Sequence, residues 1–224
     1  MLTSLAENLW ELNRPLKAPG LRLDHRMVVA RLASGELLVH SPVELDEDIV
    51  SALAALGPVS HLVAPSLFHD LYWPPWFSRY PQATFWGVPG LRQAHPELPF
   101  GELLRPDQPT PWEAELPKLF IAGMPKLNEY VFFHPPSQSL ILADLVFNLS
   151  PDQSLLGKLI LKANAAHGKV ACSRIFRAFI KDRSAFRQSV EELLSRDFSR
   201  VIVGHGGNVT QDGKEALRRA FGWL

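Results

Sequence analysis

The stretch Arg200-Val201-Ile202-Val203-Gly204-His205-Gly206-Gly207 is a β-type run that ends in a glycine loop around one histidine. Its β-branched residues favour a buried strand. Glycines on both sides of His205 predict a sharp backbone turn that leaves the imidazole accessible. Two further stretches share this form. Leu140-Ile141-Leu142-Ala143 gives way to Asp144, and His61-Leu62-Val63-Ala64 is stopped by Pro65 and followed by Phe68-His69-Asp70. Each places a metal-competent side chain where a strand yields to a loop. Imidazole and carboxylate together suit zinc, iron or manganese.

The strands at 61–64 and 200–203 each close a similar half of the chain. Met27–Leu32 and Glu36–His40 flank Ala33-Ser34-Gly35 as a hairpin. Asp46 to Leu56 then has Ile49, Leu53 and Leu56 at helical spacing, acids in its first turn and Gly57-Pro58 past its end. The strand at 61–64 follows. The second half repeats the order, with a hairpin of Tyr130–Phe133 and Leu140–Ala143 around Pro135-Pro136-Ser137. A helical region closes at Ser184–Ser195, and the strand at 200–203 comes last. Superposing the halves sets Ser41 opposite Asp144, and residues 65–70 opposite the His205 loop. The pattern predicts a mixed α/β (α+β) fold, a two-sheet sandwich with helices outside and both halves sending their strand ends to one edge. Residues 65–125 between them are rich in proline and aromatics, with strands expected at Ala83–Trp86 and Leu119–Ala122; no linker with a clean composition shift interrupts the chain, so the whole of 1–224 reads as one domain, carrying a helical basic insertion at about 151–197.

Composition narrows the function. The chain carries 23 Lys+Arg against 23 Asp+Glu, so the whole molecule has no charge with which to grip a polyanion or an anionic membrane. The balance is uneven, however: residues 1–150 have ten basic and sixteen acidic side chains, and the remainder thirteen and seven. One cysteine, Cys172, forbids an internal disulfide and a Cys-based zinc site. The first residues lack the basic and apolar regions of a signal peptide, and no apolar stretch approaches the ~20 residues that cross a bilayer. A cytoplasmic protein is the expectation.

The order and spacing of these segments resemble the metallo-β-lactamase fold, a four-layer αββα sandwich, over roughly residues 8–220. Leu38-Val39-His40-Ser41-Pro42, Val63-Ala64-Pro65 and Ala143-Asp144-Leu145-Val146-Phe147-Asn148 are most similar to a bacterial, DUF4336-like branch with an eroded first metal loop. The resemblance implies that Asp144 is the bridging carboxylate and His205 the final ligand. Where fully active members have His-x-His-x-Asp-His, this chain has Pro65-Ser66-Leu67-Phe68-His69-Asp70, and no histidine stands in Gly123-Met124-Pro125-Lys126. A two-metal hydrolytic centre needs about six to seven ligands. Four candidates are present, His69, Asp70, Asp144 and His205, so the expectation is one zinc, iron or manganese ion at most, or none. In an active protein Asp144 would orient a water and His205 would be a ligand. The bland alternative is a hydrogen-bonded remnant that ties loops together.

Other features point less sharply. Cys172 sits near cations, but a buried inert thiol is the simpler reading. Phe68, Tyr72, Trp73, Trp76, Phe77 and Tyr80 either wall a ligand cleft or form a hydrophobic lid. His25, His40, His61, His95, His134 and His167 have no partners at ligand spacing. From Gly157 to Gln188 eight cations, Lys158, Lys162, Lys169, Arg174, Arg177, Lys181, Arg183 and Arg187, face Asp182 alone. Ile175, Phe176, Phe179 and Ile180 there predict an amphipathic basic helix. Three functions remain open: a metal-dependent hydrolase-like protein acting on a small anionic or ester-like substrate, a catalytically inactive ligand-binding module, and an interaction protein docking through the basic segment.

Overall fold

The computed structural model describes residues 1–224, and its strands form two sheets. The first sheet holds seven strands in chain order: β1 (Thr3–Ala6), β2 (Leu9–Ala18), β3 (Leu21–Arg31), β4 (Leu37–His40), β5 (Val59–Val63), β6 (Thr84–Gly87) and β7 (Glu102–Leu103). From β1 to β4 it is an antiparallel meander, and from β4 to β7 it is parallel. The second sheet joins β8 (Lys118–Phe120), β9 (Tyr130–His134), β10 (Ser139–Ile141) and β11 (Arg200–Ile202) in the order β11-β10-β9-β8. Only β10 and β11 are parallel there.

Parallel neighbours require crossovers. Between β4 and β5 the crossover is α1 (Glu47–Leu56), whose N-terminus is capped by Asp46 accepting from the Ile49 N–H at 2.8 Å. Its Ile49, Val50 and Leu53 are buried. α2 (Trp73–Arg79) and α3 (Leu91–Ala94) connect the following strands. Between β10 and β11 lie α4 (Leu155–Ala163), α5 (Arg174–Arg177) and α6 (Arg183–Ser195), and α7 (Gly213–Phe221) ends the chain. The two similar halves are thus β3-β4-α1-β5 and β9-β10-α4 to α6-β11, each a hairpin, a helical crossover and a parallel return.

Strand β9 shows how the layers hold together. Its Tyr130 and Phe132 join Ile141 and Ile202 in the core shared with the first sheet. Its Val131 and Phe133 face the other way, with Phe186 and Val190 of α6 and Leu217 and Phe221 of α7. Alternate side chains point to opposite faces of a strand, and here both faces are covered. That is why Tyr130–Phe133 reads as an unbroken apolar run. Each large side chain buried this way contributes about 2 kcal/mol, roughly twice what a helix cap does.

One expectation changes, and the first sheet gains two strands at its start. Residues 3–18 form strands β1 and β2, which extend the first sheet into a long ribbon with β3 paired from Leu9↔Ala30 to Ala18↔Leu21. The basic segment is not one amphipathic helix: α5 is a single turn. Lys181 and Asp182 both donate their N–H groups to the Gly123 carbonyl, which draws the chain out of helical geometry. Asp182 then caps the new helix α6 by accepting from the Ala185 N–H at 2.9 Å.

Candidate metal centre

The strand ends of the two halves meet at one edge. There Asp144 lies between His69 and His205: His69 Nε2 is 3.3 Å from Asp144 Oδ2, and His205 Nε2 is 3.2 Å from Asp144 Oδ1. One ligand atom from each of the three residues lies within 4.8 Å of the others. All three side chains are buried. The imidazole of His205 is therefore enclosed rather than accessible, because the glycines serve a different need. A Cβ on Gly204 would stand 2.4 Å from the Ala143 carbonyl oxygen, and one on Gly206 would stand 2.1 Å from that of Asn148. The loop can press against residues 143–148 only without side chains at these positions.

Each imidazole is fixed by its second nitrogen. His205 Nδ1 donates to the backbone carbonyl of Asp24, which can only accept. Its Nε2 then faces a carboxylate oxygen, and two acceptors need a proton or a cation between them. Burial works to lower the pKa of His205, but Asp144 outweighs it and the net shift is upward, which favours a proton at this position. Burial likewise works to raise Asp144, and His69 with His205 outweighs it, holding the carboxyl well below the usual range. His69 Nδ1 meets the Ser41 hydroxyl, which also lies 3.0 Å from His25 Nε2. His69 Nε2 faces Asp144 Oδ2 at 3.3 Å without the geometry of a hydrogen bond, so this buried nitrogen has a carboxylate beside it but no hydrogen-bond partner. Ser41 and Asp144, set opposite each other by the repeat, thus flank the two nitrogens of one imidazole.

The backbone around the site is clamped as well. Arg26 of β3 donates to the carbonyls of Val203 and Gly206, and its N–H bonds Gly204 at 3.0 Å. Glu129 is fully buried behind Asp144, its two carboxyl oxygens accepting from the Ala143 and Asp144 N–H groups at 2.8 Å each. Burial, with the nearby charge of Asp144, pushes Glu129 up to about 8. Ser66 donates its hydroxyl to Asp144 Oδ2 at 3.0 Å.

Asp70 is not part of this cluster. Its Oδ2 lies 2.8 Å from His95 Nε2, on the partly exposed side of the loop. It follows His69 directly in sequence, and consecutive loop residues direct their side chains apart. His25, set aside in the sequence, is buried at the site with its ring 4.8 Å from that of His69 and 6.1 Å from that of His205. Burial first, and then those two imidazoles, hold its pKa well below the ordinary value. Of the aromatic stretch, Trp73, Trp76 and Phe77 pack as a lid, and Trp73 Nε1 donates to the His69 carbonyl at 3.1 Å. Phe147 lies parallel to the His205 ring at 5.5 Å. Cys172 is buried, and burial pushes its thiol up to about 12, so it is an inert packing residue. Nothing in the sequence marked Glu129 or His25; Ser41 was signalled by its repeat position alone.

The donor set fits a single transition-metal or zinc ion: two imidazoles, one carboxylate, an orphaned buried nitrogen, and second nitrogens already held by other groups. It does not fit a pair of ions, for which too few ligands converge.

The chain has the metallo-β-lactamase fold. DIM-1 metallo-β-lactamase is similar over 98% of this chain and 95% of its own, with TM-score 0.68 and 15% identity. A metallo-β-lactamase from Pontibacter korlensis is similar over 98% and 97%, with TM-score 0.67 and 14% identity. The metal-soaked Flv1 flavodiiron core from Synechocystis sp. PCC6803 matches all of this chain but 60% of its own, with TM-score 0.68 and 10% identity. At the level of sequence, the chain belongs to the family described as domain of unknown function DUF4336, which matches residues 6–172. No curated protein sequence matches it. The family match includes His69 and Asp144 and stops short of His205. No helix is long and apolar enough to cross a membrane.

Proposed function

We propose that this chain is a metal-dependent, hydrolase-like protein with a reduced, mononuclear site at His69, Asp144 and His205, acting on a small anionic or ester-like substrate. The observation that carries the reading is the convergence of these three donors within 4.8 Å, with a buried His69 nitrogen that faces Asp144 but makes no hydrogen bond. When bound, a zinc, iron or manganese ion supplies Lewis acidity and makes hydroxide available near neutral pH. The chain's own residues do the positioning. Asp24 and Ser41 set the ring orientations, Ser66 and Glu129 hold the Asp144 segment, and Asp144 orients a water toward the substrate. Only the unprotonated His205 Nε2 can act as a ligand, and the raised pKa of His205 sets metal uptake in competition with a proton, so uptake releases protons.

Calorimetric titration of metal-free protein with zinc, iron(II) and manganese, in buffers of different ionisation enthalpy, tests this. Uptake of one ion per chain with proton release is expected, weakened about tenfold or more in Asp144→Asn and His205→Gln. No uptake of any of the three ions, or uptake unchanged in both variants, overturns it. The depth of the site favours a second reading, a catalytically inactive ligand-binding protein on the same fold. Metal-loaded protein that hydrolyses none of a panel of ester, thioester and phosphodiester probes supports that alternative.

A further inference from the structure

The eight cations between Gly157 and Gln188 are a feature the metal centre leaves unused. None of them forms an ion pair with a carboxylate, and the one acid among them, Asp182, is occupied as the cap of α6. Two of the eight, Lys169 and Arg177, meet Arg219 of α7 around a cavity of about 570 Å³. No carboxylate lines it. The Arg177 guanidinium carbon lies over the Trp223 ring, 4.3 Å from its centroid, and its Nε donates to the Cys172 carbonyl at 2.8 Å. These two contacts hold the side chain in place and leave both terminal nitrogens without a hydrogen-bond partner in the protein. Arg219 has only Glu215 nearby, at 3.4 Å, and Glu215 is shared with Arg218. Thr210 and Gln211 add a hydroxyl and an amide to the wall, and Val209 gives it an apolar portion.

We infer that this cavity is a binding site for a small molecule bearing a diphosphate or similar multiply charged phosphate group. Three cations converging on one hollow match two to three negative charges. A planar guanidinium pairs with phosphate oxygens two at a time, and lysine adds a point charge. The volume is that of a typical small-ligand pocket. A hollow of this form differs from the extended basic stripe that tracks a nucleic-acid backbone, and the neutral net charge of the chain agrees with a local rather than a global anion site. The site adjoins the metal centre through Asn148, whose N–H donates to the His205 carbonyl at 3.3 Å and whose side chain lines the cavity. It stands independently of whether a metal binds.

The test is titration of the purified full chain with inorganic pyrophosphate and with ATP, in EDTA so that a bound metal plays no part. Binding is read by calorimetry and by the change in tryptophan fluorescence that is lost in Trp223→Phe, the ring beneath Arg177. Saturable binding is expected, weakening as salt rises. Lys169→Ala and Arg219→Gln should each raise Kd about tenfold, the loss of one charge-assisted contact. Arg177→Lys, which keeps the charge and loses the fork, should raise it several-fold, and melting temperatures should stay unchanged. The inference is overturned by no binding of either probe up to about 10 mM at low salt. It is equally overturned by binding that is unaffected in the Lys169→Ala, Arg219→Gln double variant. Single-stranded RNA binding more tightly than pyrophosphate, and lost in that same double variant, would also overturn it in favour of a nucleic-acid surface.

Discussion

At the scale of single residues, the distinction that matters is between neighbours in sequence and neighbours in space. His69 and Asp70 are adjacent, yet one turns into the buried cluster and the other pairs with His95. The hydrogen bond that His95 donates to Asp70 is the largest cause raising the pKa of His95, with burial opposing it and Glu97 adding to it. Because the folded value is raised, the pair's contribution is fully present below the ordinary histidine pKa of about 6.5 and is lost as pH rises through the folded value. An exposed pair of this kind contributes little to stability, so the titration itself is the better observable. In Asp70→Asn, proton NMR should show the His95 pKa falling toward its ordinary value while metal uptake stays as in the parent. Loss of uptake with no change in the His95 titration would return Asp70 to the centre. The residues that do surround the cluster, His25, Ser41, Ser66 and Glu129, act through hydrogen bonds spanning 14 to 78 positions, or 16 in the case of His25 and Ser41. No local spacing encodes such contacts.

At the scale of elements, what the sequence made legible was what local chemistry determines. The β3-β4 and β9-β10 hairpins carry turn residues between apolar runs, and α1 carries its cap, its apolar stripe and its terminating glycine within one short window. The same patterns, taken in order, disclosed the two halves and hence the edge where the site lies. The ribbon of β1 and β2 escaped because its residues alternate poorly, with a burial pattern on β2 that leaves most positions partly exposed, and Pro15 sits inside the strand. The long-helix reading of residues 174–181 failed because two N–H groups bond to Gly123, far away in sequence. The His205 loop was recognised, but the purpose of its glycines was close approach. Gly206 combines φ +90° with an added Cβ at 2.1 Å from Asn148 O, whereas one on Gly207 would meet nothing nearer than the Asn148 side chain at 3.7 Å. Gly206→Ala should therefore cost about 2 kcal/mol or more, lowering the melting midpoint by roughly 5 °C. Gly207→Ala should leave it within about a degree. Equal effects of the two substitutions in a thermal melt would rule out the close approach as the reason for glycine at 206.

At the scale of the whole molecule, the neutral net charge conceals buried histidines that oppose acidification. His40, at the end of β4, is enclosed against the Phe132 ring with neither nitrogen hydrogen-bonded. Burial, with a smaller effect from His69, lowers its pKa to about 3. In the unfolded chain the same imidazole titrates near 6.5. Between these values the unfolded state binds a proton that the native state refuses, so stability falls as pH falls, by about 1.4 kcal/mol per pH unit for this one group. Above pH 6.5 both states hold the ring neutral and no pH dependence arises from it. His61 and His134 are also lowered by burial and add to the same slope. His205 opposes it, because its raised pKa favours the native state when protonated. Replacing His40 with leucine removes two unsatisfied nitrogens and one proton-binding difference. His40→Leu should match or exceed the parent in urea-unfolding stability at pH 7 and should lose less stability between pH 6.5 and pH 4, by about 1 kcal/mol per unit. A variant whose stability follows the parent's pH curve in parallel across that range would show that His40 is protonated in the native protein.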